Sequence, residues 1–138
     1  MTPCPMCMKW EDDKDLRIAE LELCRVILNR DQFFPGYTFV VAKEHVTELF
    51  QLDRALRAEL VEEVNTVAAA LFHLFKPDKM NYELLGNMVP HMHWHLVPRF
   101  ASDRLWPRPI WAEPHAELHL SPGGYAERIG LIRKGIVK

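Results

Sequence analysis

Cysteine is scarce in this chain. Three occur in 138 residues, an odd number, which argues against a disulfide framework and makes a reducing cytoplasm the expected compartment. An excess of one charge is also missing: 17 Lys and Arg stand against 19 Asp and Glu, for a formal net charge of −2. No global basic field therefore points to a nucleic-acid polymer, and any phosphate must be met by local donors. The apolar runs fall far short of the roughly 20 residues a membrane span needs. Met1-Thr2-Pro3-Cys4 lacks the basic and apolar regions of a secretion signal. What remains is the composition of an ordinary globular protein, 49% hydrophobic and 26% charged, long enough for one domain with a proper core.

Against that background, residues 87–100 stand apart. His91, His93 and His95 alternate with Met92, Trp94 and Leu96. Alternation at period two predicts a strand with three imidazoles on one face and the apolar side chains turned into a core. Three protonated imidazoles side by side would repel each other, so neutral rings are expected near pH 7, and a neutral ring can be nucleophile, base or metal ligand. Two chemistries fit. One ring attacks while its neighbours fix its tautomer, or the histidines hold a metal. A catalytic zinc often has a carboxylate nearby, but Leu96-Val97-Pro98-Arg99 is apolar and basic and no acid follows before Asp103. The balance tilts towards nucleophilic catalysis.

The surrounding pattern predicts an antiparallel meander. One strand runs through Leu16 and Ile18, a turn lies near residues 20–22, and a second strand carries Val26-Ile27-Leu28. Pro35-Gly36 punctuates the chain before a third strand, residues 37–42. Asp53 is placed to cap a helix whose Leu56, Leu60, Val64, Val67, Leu71 and Leu74 recur at steps of three and four, and Pro77 stops it. Residues 80–85 read as a strand and Gly86-Asn87 as the turn before the triad. Glu11 to Asp15 reads as a charged bend. Residues 103–111, rich in Pro, Trp and Arg, read as extended; Gly123-Gly124 reads as a flexible joint before a short amphipathic end, residues 125–132. Cys4 and Cys7 have the spacing of half a zinc site, which two idle thiols share. A redox role would need the pair at the start of a helix in a βαβ context, which the pattern does not offer.

His91-Met92-His93-Trp94-His95-Leu96-Val97, continued by Pro98-Arg99, resembles the signature of the histidine triad (HIT) family. The resemblance extends over about residues 4–100 to an apolar strand ending at Asn29, a loop with Pro35-Gly36, a second apolar strand and Lys43-Glu44-His45. It implies an α+β fold: an antiparallel sheet of about five strands with one long helix and one short helix. Residues 1–100 would form the nucleotide-binding catalytic domain and 101–138 a C-terminal extension packed on it. The implied activity is hydrolysis or transfer at the α-phosphate of a nucleotide conjugate, a dinucleoside polyphosphate or a nucleoside phosphoramidate, through a nucleotidyl-histidine intermediate; the alternatives are a zinc-dependent hydrolase with the histidines as metal ligands and a non-catalytic nucleotide-binding module. His93 would attack, His95 would donate to a phosphate oxygen, and His91 would anchor the group. Asn29 would meet the ribose, and Asn81 or Asn87 the phosphate. Tyr37 takes the place of a histidine usual in the family, close to the triad, and is counted with Asn29, Asn81 and Asn87 among the nucleotide-binding residues. Many bacterial members carry the cysteine pair, and in some of them zinc is held at positions matching Cys4, Cys7, His45 and His91. The resemblance thus implies a structural zinc, no organic cofactor, a nucleotide substrate and a homodimer. It implies neither a nucleic-acid polymer nor a membrane as partner.

Overall fold

The computed structural model describes residues 4–136, so Met1 to Pro3, part of the stretch read for a secretion signal, lie outside the described residues. The order is α1 (Pro5–Asp12), β1 (Arg17–Glu20), β2 (Cys24–Leu28), β3 (Thr38–Ala42), α2 (Arg54–Phe75), β4 (Lys79–Glu83), β5 (His93–Arg99) and α3 (Pro122–Ile136). All neighbouring strands are antiparallel and the sheet runs β1-β2-β3-β5-β4. This is the α+β architecture the resemblance implies.

The first three strands form the expected meander. Their apolar residues close one core with α2, whose Leu60, Val64, Val67, Ala68, Ala70 and Leu71 are buried. Asp53 caps α2, its carboxylate accepting the Leu56 N–H at 2.9 Å, while Leu56 itself lies at the exposed end of the stripe. At the other end Lys76 adopts a left-handed conformation (φ 52°) before Pro77. Gly36 has φ +90°, and a Cβ there would lie 2.8 Å from Phe75 and 2.9 Å from Pro98, so the turn before β3 needs glycine for conformation and for close packing.

Several local expectations are corrected, among them the extended reading of residues 103–111, which instead fold into successive turns closed by Trp106 N–H to Asp103 O and Arg108 N–H to Leu105 O. Cys4 and Cys7 do open a helix: Pro5 occupies its first turn and the Cys4 sulfur accepts the Cys7 N–H at 3.4 Å. The charged bend is divided between the end of α1 and a 3₁₀ turn, Lys14–Leu16. The C-terminal element is a 15-residue helix, and Gly123 and Gly124 lie in its first turn rather than in a joint. Ser121 accepts the Gly124 N–H at 3.0 Å and Pro122 pre-sets the helical backbone, which outweighs the helix-weakening effect of two glycines. Finally, β5 begins at His93, so His91 precedes the regular strand.

Candidate active site and metal centre

The site grows from the alternation within β5. His93 pairs with Val41 of β3; His95 pairs with Phe39 on one side and with Glu83 of β4 on the other. These residues share one face of the sheet. The rings of His93 and His95 stand 4.9 Å apart at 62°.

His91 faces elsewhere. Its Nε2–H donates to the Ala42 carbonyl at 2.7 Å, because a carbonyl can only accept. Its Nδ1 therefore carries the lone pair, and that atom lies 3.5 Å from Cys4 Sγ, 3.4 Å from Cys7 Sγ and 3.1 Å from His45 Nδ1. Cys7 Sγ is 3.2 Å from His45 Nδ1. The donor atoms of Cys4, Cys7, His45 and His91 all fall within 4.8 Å of one another. Tetrahedral zinc, with Zn–S near 2.3 Å and Zn–N near 2.0–2.1 Å, needs donors about 3.3–3.8 Å apart; the pairs at 3.1–3.5 Å lie close to that spacing, and two thiols with two imidazoles are a donor set zinc takes. The backbone acceptor on the far nitrogen of His91 is the usual support of a metal-binding imidazole. Burial, foremost, holds His91 below the ordinary imidazole range, which keeps the ring neutral as a ligand must be.

His93 is fixed by the same residue through its backbone. Its Nδ1–H donates to the His91 carbonyl at 2.6 Å, which leaves Nε2 unprotonated in the neutral ring. His95 Nδ1 lies 2.6 Å from the Tyr37 hydroxyl. Burial, then the positive charge His93 can carry, lower His95 to about 4. Burial, then the charges of Glu83 and Asp31, push the Tyr37 hydroxyl up, so it stays a phenol. Tyr37 is 6% exposed and its hydroxyl is taken up by the imidazole.

The asparagines are not brought together. Asn29 directly follows β2 beside Tyr37, its N–H bonded to the Tyr37 carbonyl at 3.0 Å and its side-chain oxygen accepting the Asp31 N–H at 3.2 Å. The buried Gln32 ties this loop, donating to the carbonyls of Asn29 (2.8 Å) and Tyr37 (3.0 Å). Asn81 lies on β4 with its oxygen on Arg99 Nη1 at 3.1 Å, whereas Asn87 is exposed on the loop to β5.

Two neighbours of the site escape sequence reasoning as site residues. Trp111, read from sequence only as part of the segment 103–111, meets the His95 ring edge-on at 5.4 Å and 87°, and its indole N–H donates to Glu83. Glu83 alternates with Asn81 on β4, which was the available signal, but its place beside His95 depends on a register across a nine-residue loop.

The HIT domain family model matches residues 11–102. A Mycobacterium tuberculosis protein named AP-4-A phosphorylase is 29% identical over 98 residues, 67% of this chain and 50% of that protein, so the chain spans half the length of this relative. A crystal structure of a histidine triad protein from Bradyrhizobium japonicum superposes with a TM-score of 0.81 at 30% identity, covering 91% of this chain and 94% of the other. A zinc-bound histidine triad family protein from Mycobacterium smegmatis superposes with a TM-score of 0.68 at 25% identity, covering 96% and 92%.

Proposed function

The chain belongs to the HIT domain family, and on that premise we propose that it is a nucleotide hydrolase or nucleotidyl transferase with His93 as its nucleophile. The observation that carries this reading is the 2.6 Å bond from His93 Nδ1 to the His91 carbonyl, which leaves Nε2 free to attack. Nε2 bonds to the α-phosphorus, and the leaving group departs with the electron pair of its own bond. The oxygen of water then bonds to phosphorus and the nitrogen–phosphorus bond breaks. One proton of that water ends on the leaving group, and the other oxygen-bound proton goes with the released mononucleotide or to solvent. Substrates of this reaction class are nucleoside phosphoramidates and dinucleoside polyphosphates.

His95 serves as a neutral donor. A phenolic proton from Tyr37 on its Nδ1 places the ring proton on Nε2, where it reaches a non-bridging phosphate oxygen as charge gathers there. Tyr37 thus acts through His95. Asn29, at the rim of the same face, suits the ribose hydroxyls, and the exposed Asn87 is freer than Asn81 to meet phosphate. Residues 101–136, whose α3 packs on α2 and β1, extend the same domain. Cys4, Cys7, His45 and His91 would hold a structural zinc, which ties α1 to the triad and supplies no catalytic step. The rival reading, in which all three triad histidines bind metal, is disfavoured by the donor set: His91 joins the cysteines and His45, while His93 and His95 stand outside that cluster.

His93→Ala is expected to lower turnover of either substrate class by at least about 10³-fold while mononucleotide binding, read by calorimetry, changes little. Turnover near the unsubstituted level in that variant would overturn the assignment.

A further inference from the structure

Asn29 reaches the site from a loop. Residues 29–36 link β2 to β3 outside the sheet ladder, so the aim of that side chain depends on what grips the loop. The side-chain oxygen of Asn29 is spent on the Asp31 N–H, which leaves its amide N–H groups to offer a ribose hydroxyl. Such donors tolerate little error in aim, because a hydrogen bond weakens steeply once its angle closes below about 120°.

The grip comes from the far end of the chain. Five hydrogen bonds tie residues 115–128 to residues 30–32. The Tyr125 hydroxyl donates to the Arg30 carbonyl at 2.6 Å, and His115 Nε2–H to Asp31 Oδ2 at 2.9 Å. The Leu118 N–H donates to Asp31 Oδ1 at 2.9 Å, and the Gln32 N–H to the Leu118 carbonyl at 2.8 Å. Arg128 Nη1–H completes the set, donating to Gln32 Oε1 at 2.9 Å.

Gln32 passes this grip on to the site. It is 1% exposed, and its side-chain oxygen also accepts the Gly36 N–H at 2.9 Å. Its amide nitrogen donates to the carbonyls of Asn29 and Tyr37. Both donors and both acceptor sites of this amide are taken, so it is held in one orientation. Arg128 therefore fixes Gln32, and Gln32 fixes the backbone at the two ends of the loop. Tyr125 does the same more directly, through the carbonyl next to Asn29. Both residues belong to α3, which sends its other contacts to α2 and β1.

We propose that Tyr125 and Arg128 of α3 are positioning residues of the nucleoside site, acting through Arg30 and Gln32 to aim Asn29 at the ribose. This rests on Asn29 meeting the ribose, as proposed above, and is independent of the role of His93. The test is calorimetric binding of adenosine 5′-monophosphate and of its 2′,3′-dideoxy analogue to the full chain, since the ratio of the two Kd values reads the hydroxyl contact alone. The wild type is expected to bind the ribonucleotide at least about tenfold more tightly, and Asn29→Ala should bring the ratio to within about twofold of unity. Arg128→Met and Tyr125→Phe should each shrink the ratio by about threefold with the affinity for the dideoxy analogue unchanged. Arg128→Lys, which keeps a donor, should retain most of the ratio. Adding Arg128→Met to Asn29→Ala should lower it no further than Asn29→Ala alone. An unchanged ratio in both Arg128→Met and Tyr125→Phe, including a parallel loss of affinity for the two nucleotides, would overturn the positioning role and leave Asn29 standing. A wild type blind to the hydroxyls, or an undiminished ratio in Asn29→Ala, would overturn the ribose contact and the positioning role together.

Discussion

His91 serves the site twice, once with its ring and once with its backbone. Nδ1 faces two thiols and a second imidazole, while the carbonyl accepts the His93 proton. Tyr37 does for His95 what that carbonyl does for His93, but by donation. A phenol at this place gains no proton in ordinary buffers, and His95, lowered to about 4, stays neutral well below pH 7. The sign of the linkage follows: the unfolded chain protonates this histidine near pH 6.5, so burying His95 neutral makes stability fall as pH drops from about 6.5 towards 4. For catalysis, Tyr37→Phe is expected to lower kcat by about tenfold or more, with KM within about twofold, since a tautomer-fixing bond is lost but no substrate contact. Tyr37→His should restore a hydrogen-bond partner for His95 and recover much of the kcat lost in Tyr37→Phe. A Tyr37→Phe defect confined to KM would show that the hydroxyl contacts substrate instead.

At the scale of elements, α1 is the least self-sufficient. It has eight residues and none of them is buried, so packing alone holds it weakly. Cys4 and Cys7 sit at its start, and His45 and His91 belong to the two segments that leave β3 and enter β5. These segments are joined by the Met92 N–H to the Val46 carbonyl at 2.8 Å and the Ala42 N–H to the Met92 carbonyl at 3.0 Å. A zinc bound at the four donors would join all three. Purified protein is expected to carry about one zinc per chain, and Cys4→Ser should lose most of it. Amide-exchange protection over residues 5–12 should fall while that of β2 and β3 persists. Full metal content in Cys4→Ser would contradict this. The helix was not legible beforehand because its determinants are a sulfur cap, a proline and partners some forty and ninety residues away, none of which makes an apolar stripe. Residues 122–136 were misjudged for a related reason: two adjacent glycines read as a break, whereas Ser121 and Pro122 start the helix ahead of them. The long α2 was legible because its apolar stripe recurs from Leu56 to Leu74, with its members Leu60, Val64, Val67 and Leu71 buried.

For the molecule as a whole, the triad spoke most clearly. Its alternation located the strand and the histidines, and the resemblance it carries supplied the fold class. Two things lay beyond it. The placement of β5 between β3 and β4 is a long-range pairing that no local pattern encodes, and with it goes the position of Glu83. The draping of residues 101–113 over the sheet depends on the buried Arg99 and its partners, so Trp111 could be weighed from sequence but not placed. No helix among the described residues is long and apolar enough to cross a membrane. The parts nevertheless converge on one atom: Cys4, Cys7 and His45 meet the His91 ring, the His91 carbonyl holds His93, and β3, β4 and the tail surround His95. The central claim is that His93 Nε2 forms a covalent bond to phosphorus. The direct measurement is acid-free rapid quench of a single turnover with an adenosine conjugate, followed by peptide mapping by mass spectrometry. The account predicts a transient adenylyl group on His93, absent in His93→Ala. Productive turnover with no adduct on any histidine, or an adduct on His95 with His93 unmodified, would contradict it.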